Sequence, residues 1–141
     1  MVREFRQVMD NGYLDAKGRG RPIAAYDWVG YDGALAHHRQ ARWTSDNVPD
    51  ERVKLRFDSI SAVLAVLVRG AGCGALPCFI ADSNPALERL PGTFQETEVQ
   101  MWVLTHPDLK KSARIRAGLQ FFGARLLAYR SRLEGRTEEG T

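Results

Sequence analysis

Val53-Lys54-Leu55-Arg56-Phe57-Asp58-Ser59-Ile60, running on to Gly70-Ala71-Gly72 and then Cys73-Gly74-Ala75-Leu76-Pro77, is the stretch that decides the fold. Val53, Leu55 and Phe57 alternate with Lys54 and Arg56, and a period of two is that of a half-buried strand. Asp58 and Ser59 are both residues that cap a helix N-terminus. Behind them Ile60, Val63, Leu64, Leu67 and Val68 recur at three and four, which makes one apolar helix face. Gly70 and Gly72 end that helix, where the chain must turn left-handed. Cys73 to Leu76 reads as a short buried strand stopped by Pro77. Strand, helix and strand with short links predict a right-handed parallel crossover in one sheet, and hence an α/β fold.

Upstream, residues 1–22 are broken by polar residues. A short helix over Tyr13 to Lys17 is predicted before Gly18-Arg19-Gly20-Arg21-Pro22 interrupts it. Pro22 opens a helical turn through Ala25, and Tyr26 to Tyr31 reads as an aromatic-rich strand. Gly33 starts a helical segment through Ala36, Ala41 to Thr44 reads as a second short strand, and Asn47 to Asp50 reads as a turn. Downstream, Asp82 to Gly92 reads as a polar loop. Glu98 to Thr105 is a strand with apolar groups on both faces, as a central strand has. The last element is a helix from about Ser112 to Arg132, whose apolar face is built by Ile115, Leu119, Phe121, Phe122, Leu126 and Tyr129.

The bulk numbers fit one domain of ordinary globular composition: 141 residues, 44% hydrophobic, 26% charged, formal net charge +3. The longest apolar run, Ala62 to Val68, falls far short of the roughly 20 residues of a membrane helix. The two cysteines, Cys73 and Cys78, have neither zinc-site nor thioredoxin spacing and read as buried thiols of a reducing cytoplasm. No G-x-S-x-G elbow, Walker loop, dinucleotide fingerprint or H-E-x-x-H occurs. His37 and His38 are adjacent and point to different sides, so they do not share a metal. No catalytic residue, metal ligand or cofactor is therefore assigned. Lys17 with Arg19-Gly20-Arg21-Pro22 matches the core of an AT-hook, but a match of four residues arises readily by chance. Arg114, Arg116, Arg125, Arg130 and Arg132 read as the wet side of an amphipathic helix. What the pattern does offer is a binding geometry. Helices start straight after strands at Asp32-Gly33 and Asp58-Ser59, and the strand ending at Pro77 opens to the same edge. In an open α/β sheet ligands sit at such carboxyl ends, and free helix N-terminal amides there favour anionic groups.

The same stretches resemble a known family. Val53 to Ser59, Gly70-Ala71-Gly72, Cys73 to Pro77 and Cys78-Phe79-Ile80-Ala81-Asp82 resemble the effector domain of LysR-type transcription regulators. So do Trp28-Val29-Gly30-Tyr31-Asp32, Ala41-Arg42-Trp43, Met101-Trp102-Val103-Leu104-Thr105-His106-Pro107-Asp108-Leu109, and Arg116, Ala117 and Phe122 in the last helix. The likeness runs over roughly residues 12–135. It implies a periplasmic-binding-protein type-2 fold of two α/β lobes around a ligand cleft. This chain corresponds to the second lobe, about residues 23–104, plus the strand and helix that return to the first. Residues 1–22 match poorly, 23–135 form the partial effector domain and 136–141 a frayed tail. Arg6 to Asn11 departs from the family's apolar crossover strand before Tyr13-Leu14, as an early truncation or frameshift leaves.

The resemblance implies a non-enzymatic, cytoplasmic sensor of a small-molecule effector, with an anionic effector favoured. The helix-turn-helix of full members is missing from the sequence, so contact with DNA is expected only indirectly. Carried over by position, the effector-facing residues are Asp32, Gly33 and Ala34, Ser59 and Ser61, and Pro77 and Cys78. A homo-oligomer is expected, or else an interaction remnant that joins full-length regulators through its sheet and last helix.

Overall fold

The computed structural model describes residues 3–8, 10–15, 22–90 and 99–136. In chain order the elements are β1 (Arg3–Val8), β2 (Asp10–Asp15), β3 (Trp28–Tyr31), α1 (Arg39–Asn47), β4 (Val53–Phe57), α2 (Ile60–Leu67), β5 (Cys73–Pro77), α3 (Cys78–Ala81), β6 (Leu87–Arg89), β7 (Val99–Val103), α4 (Ala113–Ala128) and α5 (Arg130–Leu133). Five strands form one sheet in the order β4-β3-β5-β2-β6, and β1 and β7 pair separately. The crossover predicted between Val53 and Pro77 is present. β4 and β5 share the larger sheet and both run parallel to β3, which lies between them.

Ser59 caps α2, its hydroxyl accepting the Ala62 N–H at 3.4 Å. Val63 and Leu67, one turn apart, are wholly buried with Val29, Tyr31 and Leu76. All five residues of β5 are buried, as a central strand requires. A second cluster gathers Trp28, Cys73, Val48 and Leu90, with Trp43 packed on it and the two indoles 5.8 Å apart. The two helices α1 and α2 thus serve the two clusters that the strands β3 and β5 share. β4 pairs only with β3 among the described residues, so Leu55 stays 43% exposed despite its place in the alternating pattern.

Four expectations need correction. Ala41 to Thr44 is not a strand but lies inside α1. Gln40, Ala41 and Thr44 are its buried residues, with Val48 buried at its C-cap, and this helical spacing onto the sheet overrides the strand preference of Trp43 and Thr44. No helix starts at Tyr13. That residue lies in β2, antiparallel to both β5 and β6, because an unpaired edge of β5 recruits the backbone regardless of local preference. Lys17 lies outside the described residues. The loop after Asp82 contains the short strand β6, closed by an ion pair in which Arg89 Nε donates to Asp82 Oδ1 at 2.8 Å. Finally, β7 is not a central strand. It pairs only with β1 among the described residues, leaving Trp102 43% and Leu104 71% exposed.

The predicted C-terminal helix is interrupted at Tyr129 and resumes as α5. Its apolar face divides. Ile115, Leu119 and Leu126 turn partly inward beside buried Gly123, while Phe121 and Phe122 are 58% and 60% exposed.

Candidate functional site at the strand ends

Because β3, β4 and β5 run parallel, their carboxyl ends fall on one edge of the sheet. The register pairs Tyr31 with Phe57 and carries the Asp32 N–H onto the Phe57 carbonyl at 2.9 Å. The segments Asp32-Gly33 and Asp58-Ser59 therefore sit side by side. A Cβ on Gly33 would lie 3.2 Å from Asp58 Cβ. Asp32, Gly33, Ala34 and Ser61 are exposed and Ser59 is half-buried. Pro77 ends β5 but is buried. Cys78 is 1% exposed, and its Sγ lies 2.9 Å from where a Cβ on Gly135 would stand. The structure therefore brings Asp32-Gly33 beside Asp58-Ser59, and it buries Pro77 and Cys78, the latter against Gly135.

The two helix starts are not equivalent. After β4, α2 is a true helix of eight residues, and its first amides have no intrahelical carbonyl to bond. After β3 the chain makes a single 3-10 turn over Gly33–Leu35, and the Gly33 N–H is already taken by Asp32 Oδ1 at 2.6 Å. The edge thus combines one partial positive pole, at Ser59 to Ser61, with the Asp32 and Asp58 carboxylates. Tyr31 plays a part the sequence did not reveal. β3 and β5 pair at Trp28↔Cys73 and Val29↔Gly74, and two residues on the buried Tyr31 hydroxyl donates to the Ala75 carbonyl at 2.7 Å. That bond ties the two strand ends together. An aromatic just before the carboxyl end was its only sequence signal.

Residues 5–127 match the family described as the LysR substrate binding domain. The chain belongs to that family. Its fold is similar to that of the regulatory domain of HypT from Salmonella typhimurium. The apo form matches with a TM-score of 0.55 at 12% identity, over 86% of this chain and 66% of that one. The bromide-bound form of the same domain gives 0.50 at 10% identity, over 92% and 65%. At such identities the likeness concerns the fold. This LysR domain spans just under two thirds of either HypT regulatory domain. No curated protein matches its sequence.

Among the described residues no group of three or more His, Cys, Asp or Glu is placed to hold a metal, and no helix is long and apolar enough to cross a membrane. His106 caps the 3-10 turn Pro107–Lys111 and faces Asp108 at 3.3 Å. Of the AT-hook match, Lys17 and Arg19 to Arg21 lie outside the described residues.

Both cysteines are buried. Burial pushes the Cys73 thiol from 9.0 up to about 12. The folded state therefore keeps a proton that the unfolded state releases above pH 9, and stability is expected to fall as pH rises from 9 toward 12, with no effect of this group below 9. Urea melts of the parent and of Cys73→Ala at pH 8, 9.5 and 11 check this. The difference between the two proteins should shrink as pH rises. A constant difference would overturn the assignment.

Proposed function

We propose that this LysR domain is the effector-sensing module of a transcription regulator, a cytoplasmic protein that does no catalysis and meets DNA only through a separate domain. A small molecule binds where β3 and β4 end, between Asp32-Gly33-Ala34 and Ser59-Ser61, with Pro77 and Cys78 shaping the floor through their backbone. The observation that carries this reading is the juxtaposition of Asp32-Gly33 with Asp58-Ser59 across the β3–β4 register. An anionic group of the effector rests on the first amides of α2, and Asp32 and Asp58 take its donors. An effector with both kinds of group, such as an amino or hydroxy acid, suits this edge better than a simple anion.

Thermal-shift and NMR titrations with a panel of amino acids and hydroxy acids test the proposal. A binder should move the amides of Asp32, Gly33, Ser59 and Ser61 and raise the melting temperature. Ser59→Ala should weaken it about tenfold, because a polar contact in a binding site is worth about 1–2 kcal/mol. A binder whose shifts avoid both segments would refute the site.

A second reading is favoured by the open flank of β7 and α4. With Trp102, Leu104, Phe121 and Phe122 exposed, the chain is an interaction module that associates with itself or with full-length regulators. On this reading the association, more than the effector, is the function.

A further inference from the structure

We infer that the LysR domain carries a second small-molecule site, between α1 and the sheet, that takes a short-chain monocarboxylate. Gly30 lies on β3 beneath α1. Without a side chain there, α1 spans an open cleft of about 80 Å³ whose walls include Ala41, Ser45, Val48, Val53 and Arg56. In liquid water about 30 Å³ belongs to each molecule, so the cleft has room for roughly three heavy atoms, with the rest of a ligand at its open mouth.

Its two ends differ in chemistry. Its buried lining includes the apolar Gly30, Ala41 and Val48, with Val53 half-buried beside them. A Cβ added to Gly30 would stand 3.0 Å from Val53 Cγ1 and 3.7 Å from Arg56 Cγ, so the glycine lets these two lining side chains of β4 sit close to β3. The mouth carries the Arg56 guanidinium and the Ser45 side chain. Thr44 adds no donor, since its buried hydroxyl already donates to the Gln40 carbonyl at 2.9 Å. Arg56 Nη2 donates to Asp50 Oδ1 at 2.5 Å, and the Asp50 side chain is 90% exposed. A guanidinium has five N–H donors, so this pair leaves most of them to spare. Asp50, held only by a solvent-exposed ion pair, also yields readily to a competing carboxylate. A carboxylate on Arg56 with two or three carbons in the cleft satisfies both ends. A bare inorganic anion leaves the apolar lining uncovered, and an alcohol leaves the cation without a counter-charge.

The site is separate from the strand-end edge proposed above, although Gly30 and Arg56 each lie two residues before it. A ¹H–¹⁵N NMR titration with sodium propionate and butyrate tests it, with sodium chloride and n-propanol as controls. The expected result is saturable binding on the order of millimolar, as ligands this small allow, with shifts at Gly30, Ser45 and Arg56. Arg56→Gln should weaken binding at least tenfold. Asp50→Asn should tighten it about threefold by removing the competing carboxylate. Both residues are exposed, so neither variant threatens the fold. Absence of saturation overturns the inference. So does equal binding of chloride or propanol, or indifference to Arg56→Gln. Shifts confined to Asp32 and Ser59 would also overturn it, and would place the carboxylate at the strand-end edge instead.

Discussion

Gly72→Ala is expected to destabilise the chain by about 2–4 kcal/mol, a large share of the roughly 5–15 kcal/mol that holds an ordinary domain together. Gly72 has φ +124, and an alanine Cβ there would stand 2.2 Å from the Asp27 carbonyl oxygen and 2.9 Å from its carbon. Neither atom can give way cheaply. The same oxygen accepts the Cys73 N–H at 2.8 Å, and that bond starts the pairing of Trp28 with Cys73. Trp28 and Cys73 are both 0% exposed. Relief therefore means losing a buried hydrogen bond, worth about 1 kcal/mol or more, on top of about 1–3 kcal/mol of backbone strain. Urea denaturation followed by circular dichroism measures the loss. Gly118→Ala is the control: a Cβ there meets nothing within 4 Å, and alanine inside a helix gains about 0.5–1 kcal/mol over glycine. If both variants melt alike, the close approach at Gly72 is not what fixes the β3–β5 register.

The second large effect concerns the outer face of α4. Phe121, Phe122 and Tyr129 are exposed by 58%, 60% and 49%, and Phe121 meets Phe122 edge to face with centroids 5.7 Å apart. Burying a whole large apolar side chain is worth about 1.5–3 kcal/mol. The exposed halves of the two phenylalanines then offer about 2–4 kcal/mol to any surface that covers them. Sedimentation at several concentrations is expected to show reversible self-association, and Phe121→Ser with Phe122→Ser to weaken it by about 30- to 1000-fold.

Salt identifies the partner surface. Residues 113–133 include five arginines and no acidic residue. Among the described residues Arg130 has Glu134 at 2.7 Å, while Arg125 and Arg132 lie over the rings of Phe121 and Tyr129. Two copies meeting through α4 bring like charges together, so added salt should tighten the pair by screening them. Loosening with salt would show that α4 meets an acidic surface. A monomer at all concentrations, with helix 113–128 protected from hydrogen exchange, would refute self-association altogether.

The sequence by itself determined the parts whose signals are local. The strand over Val53 to Phe57, the Ser59 cap, the apolar face with Val63 and Leu67, and the glycine stop before Cys73 each depend only on near neighbours and each formed, although Leu55 of the alternating set stays exposed. The order of those motifs also carried the family, which the match over residues 5–127 bears out. Tertiary structure alone decided how strands neighbour one another. The insertion of β3 between β4 and β5, the recruitment of β2 to β5 and β6, and the outer position of β7 follow from which backbone edges were left unpaired. Such edges have no pattern in the side chains. α1 formed where a strand was predicted because burial of Gln40, Ala41, Thr44 and Val48 outweighs the weak preference of a few residues. The same holds for the sites. Asp32 and Ser59 were legible as strand ends, but their adjacency is a matter of register. The α1 cleft depends on a missing side chain at Gly30 meeting a helix that arrives from 11 or more residues downstream, at Ala41 and beyond. A glycine in a strand signals that something approaches closely; only the packed structure says what it is.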